Sequence, residues 1–107
     1  MYTIVWAYRV PPGKQDAFEK IYSSNGEWAE LFKKVPGYLG TKLIRSDILF
    51  ENYATIDMWE TKEAYEAFLI QSKAEYKKLD EQCQALTEFE SYLGSFEKDT
   101  QSIAQIT

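Results

Sequence analysis

The chain has 107 residues, 45% of them hydrophobic and 16% aromatic, with a formal net charge of −5. That length holds one domain with a real core, and the acidic balance excludes a grip on nucleic acid or on an anionic membrane, since both need a basic face. With no histidine and one cysteine, Cys83, there is no Ser-His-Asp or Cys-His arrangement, no intramolecular disulfide and no donor set for a zinc site.

Residues 2–10 predict a first strand. Tyr2, Ile4, Trp6 and Tyr8 alternate with Val5, Ala7 and Val10, so both faces are apolar and both call for cover. Pro11-Pro12-Gly13 turns the chain. A helical stripe follows in Ala17, Phe18, Ile21 and Tyr22 and continues in Trp28, Leu31, Phe32 and Val35. Ser23-Ser24-Asn25-Gly26 interrupts it, and Ser24 with Glu27 has the spacing of a capping box, which predicts a fresh helical start. Val35-Pro36-Gly37 ends that helix. Tyr38 to Arg45 reads as the second strand, and Ser46-Asp47 begins a turn. The third strand is predicted from about Phe50 to Trp59.

From Lys62 to Cys83 the period becomes helical, with Tyr65, Phe68, Leu69, Ser72, Tyr76, Leu79 and Cys83 on one face, a stripe that Leu86 extends. Thr61 is its N-cap, and Glu63 puts a negative charge in the first turn. Glu75 and Lys78 are spaced to pair on the wet side. Thr87 and Glu90 suggest another capping box opening a single turn, and Leu93 to Glu97 a short last strand. Lys98 to Thr107 is polar except for Ile103 and Ile106. The division is a domain over residues 1–97 and a polar C-terminal tail over residues 98–107.

The order β-α-β-β-α-β is the ferredoxin-like unit, an α+β fold on an antiparallel four-stranded sheet. Two helices cover only one face of that four-stranded sheet, yet the first and third strands are apolar on both. Leaving such a face in water costs about 25 cal/mol per Å², so a homodimer packed sheet on sheet is expected. No apolar run reaches the roughly 20 residues of a membrane helix. The start of the chain lacks the basic residues of a signal peptide, and with the lone cysteine this points to the cytoplasm.

Three stretches, Ile4 to Gly13, Val35 to Thr41 and Tyr53 to Phe68, resemble the antibiotic biosynthesis monooxygenase family of dimeric α+β barrels. The strand-end run Trp59-Glu60-Thr61-Lys62-Glu63-Ala64-Tyr65 is the most specific of them. The resemblance spans residues 2 to about 97. It implies one of two activities: oxidation of phenolic polycycles or quinols by dioxygen without metal or cofactor, or binding and degradation of haem. It also implies that Trp59 lines the pocket and that Tyr65 matches a tyrosine of the quinol-oxidising members. Where those members carry an asparagine this chain has Thr55, which supplies no amide. The iron-ligating histidine of haem degraders has no counterpart.

Each candidate residue has two readings. Trp59 either stacks a flat aromatic substrate at the pocket mouth or packs a strand-helix corner. Tyr65 either hydrogen-bonds a substrate oxygen or belongs to the apolar helix stripe. Asp57 shares a strand face with Tyr53, Thr55 and Trp59. Burial there raises its pKa toward the range of a general base unless it is paired, and Arg9 or Arg45 are the possible partners. Tyr8, Tyr22, Trp28, Phe32, Thr55 and Phe68 are candidate pocket walls or core. Three functions follow: a small cofactor-independent monooxygenase acting on an aromatic small molecule, a non-enzymatic binding module, or a bare structural dimer. A cavity between sheet and long helix near Trp59 separates the first two from the third, and a solid core there defeats both pocket readings.

Overall fold

Strand β1 (Tyr2–Arg9) runs through the middle of the sheet, between β3 (Tyr53–Trp59) and β4 (Phe89–Glu97), and β2 (Tyr38–Arg45) closes the far edge. Every neighbouring pair is antiparallel. The structure, a computed structural model, describes residues 1–97, so the predicted polar tail from Lys98 to Thr107 lies outside the described residues. Helices α1 (Gln15–Tyr22) and α2 (Glu27–Phe32) connect β1 to β2; α3 (Lys62–Gln71) and α4 (Lys73–Cys83) connect β3 to β4. This is the expected ferredoxin-like α+β order.

The strand period decides which residues meet the helices. Tyr8 and Phe18 rings lie 5.2 Å apart, and Tyr53 and Phe18 rings 4.9 Å apart, so the even positions of β1 and the odd positions of β3 face inward. Ile4, Tyr8, Tyr53, Thr55 and Trp59 are buried there with Phe18, Tyr22, Phe32 and Phe68. The other face stays open within the chain. Ile44, Leu93 and Phe96 are each more than half exposed, and Val5, Ile56 and Met58 are only partly covered. Within one protomer β1 is therefore not buried on both faces.

Several boundaries differ from the sequence pattern, each for a local reason. The capping box at Ser24 is not used. Gly26 is the N-cap of α2, because a Cβ there would sit 2.2 Å from the carbonyl oxygen of Ile21 and only glycine admits so close a turn. β1 ends at Arg9, one residue early, and β3 begins at Tyr53, three residues late. Between them stands Asn52, which is buried. Its Oδ1 accepts from Val10 N and its Nδ2 donates to Val10 O, both at 2.9 Å, so one side chain replaces the next rung of the ladder.

The predicted long helix is two. It breaks at Ser72, whose φ of −110° and ψ of 21° leave the helical range. Ser72 is buried, its amide donates to Phe68 O at 2.9 Å, and its carbonyl accepts from Tyr76 N at 2.8 Å. Thr61 caps α3 as expected, accepting from Ala64 N at 3.1 Å. Glu75 pairs with Lys34 of the α2 end at 2.8 Å instead of with Lys78. The turn expected after Thr87 is absent. A 3-10 turn over Gln84–Leu86 precedes it, and β4 starts at Phe89, with Glu90 inside the strand.

Gly37, at φ 98°, seats β2 against the helices: its carbonyl accepts from Glu60 N at 2.8 Å, and an added Cβ would fall 2.6 Å from Ala64 Cβ. Asn52→Ala leaves a buried amide and a buried carbonyl of Val10 without partners. At about 1–3 kcal/mol for each unsatisfied group, the expected loss is about 2–6 kcal/mol, read as a lower urea midpoint at unchanged m-value.

Candidate functional site

Three rungs of the sheet build the floor of one cavity. In the first, Thr41 of β2 lies opposite Asp57 of β3. In the second, Thr55 lies opposite Trp6 of β1, which pairs on its other side with Tyr92 of β4. In the third, Tyr8 lies opposite Tyr53 on one side and Glu90 on the other. The roof comes from the helices: Tyr22 of α1, Trp28 and Phe32 of α2, and Tyr76 and Asp80 of α4, one turn apart. The cavity is partly open to solvent and has a volume of about 60 Å³. That is room for a few waters, since each needs about 10–15 Å³ by this measure, and short of the roughly 300–1,000 Å³ of drug-sized pockets.

Asp57 is the chemical centre. Thr41 Oγ1 donates to its Oδ1 at 2.7 Å. That commits the threonine proton, so the Tyr38 hydroxyl donates to Thr41 Oγ1 at 2.6 Å. Neither expected arginine reaches the carboxylate: Arg45 pairs with Glu19 at 3.7 Å and Asp47 at 3.6 Å, and Arg9 with Glu88 at 4.0 Å. Among the described residues no cation pairs with Asp57. Although the side chain keeps a partial opening to solvent, desolvation pushes its pKa up to about 6, only partly opposed by the Thr41 hydrogen bond.

Tyr8 Oη and Thr55 Oγ1 form the second polar pair, 3.1 Å apart. Burial raises the ionisation of Tyr8, Tyr22 and Tyr76 well above the usual phenol range, so these hydroxyls stay neutral. Of the residues singled out in the sequence, Asp57, Tyr8, Tyr22, Trp28, Phe32 and Thr55 line the cavity together. Trp59, Tyr65 and Phe68 do not. Trp59 has no exposed surface; the rings of Phe32, Tyr38, Tyr65 and Phe68 surround it at 5.4–5.7 Å. The core near Trp59 is solid, so the pocket expected at that corner is absent, and the cavity that does exist lies farther along the sheet. The expected place for Trp59 at a pocket mouth is thus corrected: these rings fill the corner first. Tyr65 packs between Tyr2 and Trp59.

Sequence reasoning missed Trp6, Thr41, Tyr76, Asp80 and Glu90 as lining residues. Asp80 follows Tyr76 by four positions and so shares its helix face, a signal that was present. Thr41 and Glu90 depend on strand register, which no local pattern supplies.

The family profile described as antibiotic biosynthesis monooxygenase matches residues 1–79. The chain belongs to this family. Among solved structures, it is similar to a variant of SnoaB, a cofactor-independent oxygenase from Streptomyces nogalater, at 21% identity and a TM-score of 0.72, covering 92% of this chain and 93% of that one. It is similar to MhuD, a heme-degrader from Mycobacterium tuberculosis, at 26% identity and a TM-score of 0.67, covering 92% and 95%. HapK from Hahella chejuensis matches at 18% identity and a TM-score of 0.69, covering 94% of each chain. The likenesses to SnoaB and HapK speak for the fold alone. Comparison with curated protein sequences gives no significant match. Antibiotic biosynthesis monooxygenases thus share this scaffold across different chemistries, and the lining must decide among them. No helix among the described residues is long and apolar enough to cross a membrane.

The raised Asp57 pKa has a consequence for stability. The folded state holds a proton that the unfolded state releases, so stability is greatest below the unfolded value of 3.8 and falls as pH rises through about 6. The difference is worth about 3 kcal/mol. Asp57→Asn should flatten the fall in stability between about pH 4 and pH 6 and raise Tm at pH 7, with little change at pH 4; melting curves across that window check it.

Proposed function

We propose that the protein is a cofactor-independent monooxygenase that oxidises an aromatic, quinol-like substrate with dioxygen. The observation that carries this reading is Asp57: a carboxylate facing an aromatic-walled cavity, bonded to one neutral hydroxyl, with its pKa near 6. A base so poised is ionised at neutral pH and takes a phenolic or activated C–H proton at little cost. The anion left behind passes one electron to dioxygen. The radical pair combines at carbon to a peroxide anion, which takes the proton back from Asp57 and becomes a hydroperoxide. Asp57 then removes the remaining hydrogen of that carbon as a proton, the O–O bond breaks to leave the quinone carbonyl, and the same proton passes to the departing hydroxide to give water. Tyr8 and Thr55 offer hydroxyls to the substrate's second oxygen, while Trp28, Tyr22 and Phe32 orient its ring and keep water out.

Trp59 and Tyr65, the pair that the resemblance puts on the substrate, act behind the carboxylate in this reading. Burial, and to a smaller extent neighbouring charges that include Asp57, raises the ionisation of Tyr65, so its hydroxyl stays neutral. Both aromatics are positioning residues that keep the inner wall dry. Haem fits the lining poorly. The chain offers no imidazole, Cys83 is fully buried, and the cavity phenols resist ionisation, so no good axial ligand faces the space.

Two copies are expected to pack through the open sheet face, where Ile44, Leu93 and Phe96 stand exposed. Light scattering should give twice the 12.5 kDa of the chain, and Leu93→Lys with Phe96→Lys should shift the mass toward the monomer. The buried, unpaired Cys83 suits a reducing cytoplasm. A dimeric small-molecule-binding or structural protein of the same fold is the second reading, and the small cavity of about 60 Å³ favours its structural form.

Oxygen uptake against anthrones and dihydroxynaphthalenes separates the two. An oxygenase shows saturable uptake, a kcat/KM that rises through about pH 6, and a loss of roughly 10²–10⁴-fold in Asp57→Asn. Trp59→Phe and Tyr65→Phe should move the midpoint of the pH profile more than the KM. Saturable binding with no uptake selects the binding protein.

A further inference from the structure

The two edge strands carry the same four-residue pattern, Tyr38-Leu39-Gly40-Thr41 in β2 and Tyr92-Leu93-Gly94-Ser95 in β4. Each interrupts its ladder in the same way. In β2, Tyr38 lies opposite Trp59 and Gly40 opposite Met58; in β4, Tyr92 lies opposite Trp6 and Gly94 opposite Val5. Leu39 and Leu93 are left out of the pairing and stand more than half exposed. The glycine that follows has a positive φ in both, 148° at Gly40 and 144° at Gly94, which other residues rarely adopt. In an unbroken strand, residues three apart point to opposite faces. The extra residue of a bulge cancels that alternation, so each tyrosine shares the inward face with the hydroxyl three positions on. Tyr38 Oη meets Thr41 Oγ1 at 2.6 Å, and Tyr92 Oη meets Ser95 Oγ.

Both hydroxyls end on one rung, in which Thr41, Asp57, Ile4 and Ser95 lie opposite one another in turn across β2, β3, β1 and β4. What differs is the neighbour. Ser95 faces Ile4, whose side chain accepts nothing. Thr41 faces Asp57 and donates to its Oδ1 at 2.7 Å. Only the β2 copy of the device therefore reaches an acid. Its tyrosine is also the better anchored, with the ring 5.3 Å from Phe32 and 5.4 Å from Trp59, whereas Tyr92 is 53% exposed. Among the described residues, Asp57 Oδ2 accepts from no other group.

We propose that Tyr38 and Thr41 are positioning residues for Asp57: the bulge at Leu39 turns the Tyr38 hydroxyl onto Thr41, the relay of two hydroxyls fixes Oδ1, and Oδ2 is left to take the substrate proton. This rests on the reading of Asp57 as the oxygenase base. A hydroxyl that is itself donated to is the stronger donor, and a hydrogen bond to the ionised carboxyl favours that form. The relay thus opposes the desolvation that raises Asp57. The titratable groups that feel the charge of Asp57 are Tyr8 of β1, Tyr38 of β2, Tyr65 of α3 and Tyr76 of α4. Tyr22 of α1, Asp80 of α4 and Glu90 of β4 share its cavity. None of these is a cation, so the two hydroxyls of β2 are what holds the acid ionised.

The test is the titration of the Asp57 carboxyl, followed by NMR in protein labelled with 13C at the aspartate side-chain carboxyl and assigned by the signal lost in Asp57→Asn. Thr41→Val keeps the side-chain shape and removes the donor; it should weaken the acid about tenfold. Thr41→Ser should restore the wild-type titration. Tyr38→Phe keeps the ring against Phe32 and Trp59 and should weaken the acid about two- to threefold. Tyr92→Phe, the same change in the copy that reaches no acid, should leave the titration in place. The proposal is overturned by a titration that Thr41→Val or Tyr38→Phe leaves unmoved, that Thr41→Ser moves as far as Thr41→Val, or that Tyr92→Phe moves as far as Tyr38→Phe. Oxygen uptake by the same variants keeps the two readings apart. With an oxygenase, the pH midpoint of kcat/KM moves upward in Tyr38→Phe in step with the carboxyl, at nearly constant KM. Titrations that shift as expected without uptake in any protein remove the oxygenase and keep the relay. Uptake whose pH midpoint, like the carboxyl titration, ignores Tyr38→Phe does the reverse.

Discussion

A single hydrogen bond between neighbouring strands, from Thr41 to Asp57 at 2.7 Å, sets the character of this molecule. It is made by register. Thr41 and Asp57 face each other across β2 and β3, and a slip of one residue would turn both to the open face. The bond satisfies one carboxylate oxygen and leaves the charge unneutralised. A purely structural aspartate in such a place would gain from an arginine, and Arg45 is on the adjacent strand. Its guanidinium is taken up instead by Glu19 and Asp47. The chain thus carries at neutral pH a carboxylate that costs about 3 kcal/mol to keep ionised, against a net stability of about 5–15 kcal/mol for typical domains. Groups held at such a cost are concentrated where chemistry is done.

The aromatic core explains how the cost is carried. Trp59 is fully buried within a cage of four rings, and the stacked pair Phe18 and Tyr22, 4.0 Å apart, anchors α1 over Tyr8 and Tyr53. Each large ring removes about 150–250 Å² from water, and their rigidity fixes the separation of helices and sheet. The cavity survives because its floor is polar. Thr41, Thr55 and Asp57 cannot be covered by hydrocarbon without losing their hydration or their partners. Where the floor becomes apolar, at Trp59, the rings close down and no space remains.

Much of the fold was legible in the sequence, because alternation in β1 and β3 and the helical stripes are strong local signals. What escaped was set by non-local contact. Asn52 reads as an ordinary turn residue until Val10 is brought beside it. Ser72 fits the helical stripe by position and is buried as that stripe requires, yet the helix breaks there. The start of β4 at Phe89 follows from pairing with Arg9, not from propensity. The same limit applied to the site. Asp57 stood out because a carboxylate on an inward strand face is a local contradiction. Thr41 and Glu90 look unremarkable on their own strands, and only the register makes them its companions.

Membership of the antibiotic biosynthesis monooxygenase family therefore fixes less of the chemistry than the lining does. A cofactor-independent oxygenase and a heme-degrader share the scaffold, so the scaffold alone cannot choose between them. The choice falls to a few inward positions. In this chain they offer neutral hydroxyls, aromatic faces and carboxylates, with no imidazole. Such a set can remove a proton and orient a ring. An electron-rich aromatic needs nothing more from a protein before it meets dioxygen: deprotonation raises its reducing power, and a dry pocket keeps the resulting anion from recapturing a proton from water. In the oxygenase reading proposed above, the arrangement around Asp57 serves the first and the ring-filled wall behind it the second.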